Sequence, residues 1–345
     1  MKALNLHAVN DLRYEEIPVP IRKKGEVLIE IKACGICGSD IQRVFEKGTY
    51  HFPTVIGHEF SGVIAEADDE NLLGKKAAVF PLLPCFKCEA CEKEEYAQCS
   101  DYNYFGSRCN GGMAEYISVP VFNLITADSG ISYEELAMIE PCAVSRHCIK
   151  QSELKSGETV AIFGAGPIGL MLAKWAEVYG AGKIILTDID EKKVEFAKKS
   201  GYTAINSLKE DAVSGIRELT KGRGADIAIE GAGASVALSQ ALRAACNFGR
   251  AICMGNPAGE MVLAQKAYWE ILRKQLTLKG TWNSSYAQKN NDWKESLLMM
   301  EKGSIDLKPL ISHRFDLADY QKAFGIMRDK KEFSNKIMFI SNKGD

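Results

Sequence analysis

Four cysteines, Cys85, Cys88, Cys91 and Cys99, fall within fifteen residues in the segment PCFKCEACEKEEYAQC. Thiols that close build a disulfide framework, a redox pair or a metal clip. The N-terminal stretch MKALNLHAVNDLRYEEIPVP carries no long apolar core of a secretory signal. No run approaches the ~18 apolar residues of a membrane helix. The expectation is a cytoplasmic protein whose thiols stay reduced. That leaves metal or redox chemistry. In Cys-x2-Cys-x2-Cys-x7-Cys the two-residue gaps turn successive thiolates inward, so that the four surround one Zn²⁺ tetrahedrally. The fourth, spaced cysteine and the lack of a thioredoxin-like context speak against a redox pair. Four thiolates leave no open position, so this zinc is structural and staples a lobe over 84–101. Lys87 and Lys93 are placed to soften its negative charge.

A second group is dispersed: Cys37 in ACGICGSD, His58 and Glu59 in IGHEFSG, and Glu140 in MIEPC. One thiol, one imidazole and one carboxylate make three ligands and leave a fourth position for water or substrate. Spacing alone does not choose between this and a small buried thiol beside a structural histidine. Cys34, Cys109, Cys142, Cys148, Cys246 and Cys253 read as that plainer kind of cysteine.

A third pattern lies in VAIFGAGPIG, where Gly164, Gly166 and Gly169 have the G-x-G-x-x-G spacing directly after a predicted strand. The first glycine permits the tight turn, the second admits a pyrophosphate to the backbone N–H groups, and the third lets helix pack on strand. Pro167 and Ile168 open the helix, whose N-terminus faces the negative charge. Asp188 follows nineteen residues after Gly169, at the end of the strand IILTD. A carboxylate there suits ribose hydroxyls and repels the extra phosphate of NADP, so NAD is the expected cofactor.

These groups need a scaffold. At 345 residues the chain is long enough for about two domains. The first ~150 residues read as short strands and turns. From there strands and helices alternate (TVAIF, PIGLMLAKWAEV, IILTD, EKKVEFAKK, DIAIE), as in a doubly wound parallel sheet of Rossmann type. After about Ser285 helices return, closed by the apolar strand SNKIMFI. The predicted organisation is a β-rich domain from 1–150 and 288–345, with an α/β dinucleotide domain over 151–287 inserted. A net charge of −2, from 43 basic and 45 acidic residues, argues against nucleic-acid or membrane-surface partners.

Taken in order, CGICGSD, GHEFSG, the four-cysteine lobe, NGGMAEY, IEPCAVS and VAIFGAGPIGL resemble the zinc-dependent medium-chain alcohol/polyol dehydrogenases over essentially the whole chain. The resemblance implies a GroES-like catalytic domain and two zinc ions per chain. Cys37, His58 and Glu140 would be the catalytic zinc ligands, Glu59 a carboxylate that binds the metal or its water, and Ser39 a proton relay. The lobe with LRKQLTLKGTW is most similar to members that oxidise galactitol 1-phosphate, followed by those acting on sorbitol. This implies a polyol phosphate as substrate, with Arg43, Lys47 and Arg108 as cations for the phosphate. The alternatives are a free polyol or threonine, and, in a different class, a zinc module that senses NAD without turnover. IQRVF after CGSD lacks the His or Tyr of sorbitol enzymes, and Arg146 stands where small or apolar residues are usual. The family assembles as homodimers or homotetramers, here through the segment LTLKGTW.

Overall fold

The computed structural model describes residues 1–127, 130–257 and 259–341. Its contacts divide the chain into two units, Met1–Ala143 with Ser285–Asp345, and Val144–Ser284.

In the first unit the strand Glu26–Gly35 is the organising element. Its Val27, Ile29 and Ile31 are buried against Ile64, Ala77, Val79, Ile337 and Phe339. A fully buried side chain of that size contributes roughly 1.5–3 kcal/mol. The sheet runs Leu124–Ala127, Lys76–Val79, Glu59–Glu66, Glu26–Gly35, Lys336–Ile340, Ile311–Phe315, and Tyr116–Pro120 also pairs with Glu26–Gly35. The C-terminal strand Lys336–Ile340 lies antiparallel to Glu26–Gly35 with Met338 opposite Gly35, and the Ile36 N–H donates to Ile337 O at 2.9 Å. Residues some 300 positions apart thereby meet where the segment containing Cys37 begins.

The expectation of strands and turns up to residue 150 is corrected chiefly at its end, beyond the short helices Gly38–Gln42 and Glu89–Glu92. Tyr133–Ala137 and Ile139–Gln151 are helices, the first opened by a capping box between Ser132 and Glu135. The second is buried on most sides, so its sequence IEPCAVSRHCIKQ shows no polar stripe from which helical periodicity could be read.

In the second unit Thr203–Asn206, Lys183–Asp188, Thr159–Phe163, Ala225–Glu230, Ala245–Cys253 and Thr277–Gly280 form a sheet in that order, every neighbouring pair parallel. The order reverses beside Thr159–Phe163, and ligands of such sheets bind outside the strand ends at a reversal of this kind. The Arg146 guanidinium lies over the Trp175 ring, 5.7 Å from its centroid, which gives that residue a packing role. Among the described residues no helix is long and apolar enough to cross a membrane.

Candidate active site

Cys37 caps the short helix Gly38–Gln42, and fully buried Asp40 ties that helix to its surroundings. Asp40 Oδ2 accepts the Cys37 N–H at 2.9 Å, and Oδ1 accepts Arg43 Nη1 at 2.9 Å. His58 Nδ1 stands 3.5 Å from Asp40 Oδ1, at the far limit of a hydrogen bond, so charge attraction is the main link. Burial pushes the Asp40 pKa up, but the charges of His58 and Arg43 and the Cys37 N–H outweigh it and hold it at about 2. Asp40 is therefore ionised and orients His58, leaving Nε2 for a ligand.

Cys37, His58 and Glu59 each offer one donor atom, and the three atoms lie within 4.8 Å of one another. Glu59 is held from behind. Buried Lys336 donates to Glu59 Oε2 at 2.5 Å and to Ile36 O at 3.3 Å. Burial works against the Lys336 ammonium, yet the negative groups around it, Glu59 first, keep its pKa above the ordinary value. Removing one partner of such a pair costs about 3–5 kcal/mol, because the other charge is left buried. Gly35 completes the seat: a Cβ there would collide with the Glu59 carboxylate.

Of the two carboxylates expected at the metal, Glu59 lies in this group of donor atoms, with Lys336 and Gly35 on either side of its carboxylate. Glu140 is buried nearby and accepts the Tyr104 hydroxyl at 3.3 Å. Burial, reinforced by the Glu59 charge and opposed by His58 and Lys336, raises its pKa to about 7. It is thus a carboxyl able to hold a proton near neutrality. Ser39 Oγ accepts Arg43 Nη1 at 2.9 Å, which leaves its own O–H free to donate.

The four lobe cysteines also lie within 4.8 Å of one another. Sγ–Sγ distances are 3.9 Å for Cys85–Cys91 and 3.8 Å for Cys88–Cys99. A tetrahedron with ~2.3 Å Zn–S arms has edges of about 3.8 Å, whereas a disulfide would need about 2.05 Å. The donor set fits zinc. Backbone N–H groups of Ser100 and Cys91 lower the Cys88 pKa to about 6, so that sulfur is a thiolate at neutral pH, while burial pushes Cys91 up to about 12. Lys93 does not serve the cluster as expected, since its ammonium pairs with Glu89 at 2.6 Å.

In the second unit Gly164 takes φ +119°, a conformation that favours glycine. A Cβ on Gly169 would strike the Gly164 carbonyl, so the helix Pro167–Val178 approaches as closely as the motif requires, with Gly166 as its N-cap. At Gly166 space is open: the nearest atom to a Cβ there would be Lys193 Nζ at 3.9 Å. Asp188 sits at the end of its strand and accepts N–H groups from Ala165 at 2.8 Å and Asp190 at 2.9 Å. The loop fits a dinucleotide, and Lys193 is a cation beside it that spacing from Asp188 did not reveal.

The three cations expected for a phosphate are placed differently. Arg43 is spent on Asp40 and Ser39. Lys47 reaches Gln42 at 3.4 Å on the surface. Arg108 lies between the Tyr50 and Tyr102 rings. Asp40, Lys336 and Tyr104 carry parts of the site that sequence reasoning missed. Asp40 was readable as a capping residue three positions after Cys37, but nothing local marks Lys336 or Tyr104.

Residues 167–302 match the family model of zinc-binding dehydrogenases, and residues 23–129 that of the alcohol dehydrogenase GroES-like domain. The chain is 33% identical to sorbitol dehydrogenase of Bacillus subtilis, over 99% of this chain and 98% of that one. It is also 33% identical to galactitol 1-phosphate 5-dehydrogenase of Escherichia coli, over 91% and 94%. The crystal structure of galactitol-1-phosphate dehydrogenase from Escherichia coli superposes with a TM-score of 0.92 at 32% identity, covering 99% of this chain and all of that one.

Proposed function

The chain belongs to the zinc-binding dehydrogenases with an alcohol dehydrogenase GroES-like domain, and from that premise we propose that it oxidises a secondary alcohol of a polyol phosphate, galactitol 1-phosphate, to the ketose phosphate with NAD. The observation that carries the dehydrogenase reading is the convergence of Cys37, His58 and Glu59. These residues would hold the catalytic zinc, with buried Glu140, bonded to Tyr104, as the further carboxylate proposed for the metal. Cys85, Cys88, Cys91 and Cys99 would hold the structural ion.

A zinc ion so held supplies Lewis acidity, which takes water from a pKa of ~16 to ~7 in the best sites, about 12 kcal/mol at ~1.4 kcal/mol per unit. Everything else falls to the chain. Asp40 fixes the His58 ring, and Lys336 keeps Glu59 anionic and in place. Ser39 Oγ, with one lone pair taken by Arg43, would accept the substrate's proton on the other and pass its own O–H proton onward. Arg43 cannot take a proton, so a relay through Ser39 must end at another acceptor. The Gly164–Gly169 turn and Asp188 would hold NAD, which accepts the hydride while the protein orients it.

Replacing Asp188 by Ala is expected to raise KM for NAD about 10–100-fold, the worth of hydrogen bonds to a charged group at about 1.5–3 kcal/mol, and to narrow the preference over NADP. Unchanged KM values for both cofactors would remove Asp188 from the ribose site.

Free polyols and threonine remain competing substrates, since sorbitol dehydrogenase is as similar as the galactitol 1-phosphate enzyme. Initial rates with galactitol 1-phosphate, sorbitol and L-threonine separate the three. The edge strand Thr277–Gly280 is exposed, with Leu278, Trp282, Tyr268 and Leu272 each about half accessible. Such an edge supports assembly as a homodimer or homotetramer. Sedimentation of a stable monomer at micromolar concentration would contradict it.

A further inference from the structure

Loop 49–54 is tied to loop 103–109. The Tyr50 N–H donates to Ser107 O at 3.2 Å, and His51 Nε2 lies 3.0 Å from Arg108 O. This tie brings the Arg108 guanidinium over two aromatic rings, 4.1 Å from the Tyr50 centroid and 4.5 Å from that of Tyr102. Tyr102 meets Tyr104 edge-on at 6.4 Å, and Tyr104 reaches both Glu140, at 3.3 Å, and the His58 ring, at 5.9 Å. The clamp therefore connects through one tyrosine to the catalytic group. Among the described residues no carboxylate pairs with Arg108, whereas Arg43 is committed to Asp40 and Ser39. A guanidinium packed against two aromatic rings has its plane restricted while its N–H donors stay available to a ligand. That geometry matches the bidentate recognition of a phosphate, and the immobilisation is already in place before binding.

We propose that Arg108, clamped between Tyr50 and Tyr102, is the anchor that selects a phosphate monoester on the polyol, while Arg43 is a positioning residue for Ser39 and Asp40. The proposal rests on the dehydrogenase reading above and goes beyond it by naming the group that sets substrate class.

The test uses zinc-loaded enzyme with NAD, measuring KM and kcat for galactitol 1-phosphate, galactitol and L-threonine, and inhibition of galactitol oxidation by inorganic phosphate. Arg108→Ala is expected to raise KM for galactitol 1-phosphate about 10–100-fold more than KM for galactitol, as loss of charged hydrogen bonds does. It should weaken phosphate inhibition to the same degree. Arg108→Lys, which keeps the charge without the fork, should recover only part. Tyr50→Leu, at a side chain exposed enough to change without unfolding, should shift the same two quantities in the same direction. Arg43→Ala should instead lower kcat on every substrate. Equal KM changes for galactitol and its phosphate, or unaltered phosphate inhibition, would overturn the proposal even if galactitol 1-phosphate proves the preferred substrate. If the wild type favours galactitol while phosphate inhibition still depends on Arg108, the anchor stands and the substrate reading fails. A rise confined to KM for threonine would overturn the phosphate assignment in favour of a carboxylate.

Discussion

Cys37→Ser is expected to lower kcat/KM by about 10⁴-fold and to remove one zinc ion per chain while the other stays. The size follows from the several kcal/mol of charge stabilisation that a Lewis acid supplies, at ~1.4 kcal/mol per tenfold. Three ligands would hold the catalytic position, so losing the thiolate would leave His58 and a carboxylate, a pair with far weaker affinity for zinc. Folding should survive, because Cys37 is partly exposed and caps its helix through a backbone N–H that Asp40 accepts with any side chain at that position. A variant with wild-type turnover would mean that the thiolate is not a ligand. A variant that loses both zinc ions would mean that the two sites are not independent.

The second large effect is on stability. Cys88→Ala should release the other zinc ion and lower the melting temperature by more than about 10 °C, while residual protein keeps its catalytic ion. Structural zinc in small peptides contributes about 10–16 kcal/mol of apparent binding free energy. Even half of that, about 5–8 kcal/mol at ~2–4 °C per kcal/mol for a unit of this size, amounts to 10 °C or more. The lobe has few other means of holding its shape. Its regular structure is two single-turn helices, Glu89–Glu92 and Tyr96–Gln98, and the sulfurs face one another and backbone N–H groups such as that of Cys85, which donates to Cys99. Chelation of the wild type should reproduce the change. An unchanged melting temperature after the zinc is lost would show that the aromatic packing of Phe86, Tyr96 and Phe122 suffices to hold the lobe.

What could be read from the chain alone divides along a physical line. The glycine turn, Asp188 and the four lobe cysteines are local: their chemistry depends on spacings of two to about twenty residues, which a strand, a turn or one loop converts directly into geometry. The alternation of strand and helix after residue 150 was legible for the same reason. The catalytic centre is not local. Glu59 and Glu140 are equally good carboxylates on paper, and the partner that holds Glu59, Lys336, is brought in by a strand that pairs with Glu26–Gly35 from the far end of the chain. Lys336 sits in an apolar run, SNKIMFI, where a lysine reads as an edge residue pointing to water. Arg43 and Arg108 likewise looked interchangeable until the fold gave one to Asp40 and the other to two tyrosines. The helix Ile139–Gln151 escaped because burial on most sides removes the polar face by which amphipathic helices are recognised.

Cys37, His58 and a carboxylate would build an open metal position, separate from the closed four-thiolate lobe. Counting zinc in the purified protein distinguishes the two sites. Two ions per chain are expected, with one displaceable by cobalt to give an absorption spectrum that responds to an alcohol substrate. A single ion per chain, held by the lobe and indifferent to substrate, would contradict it.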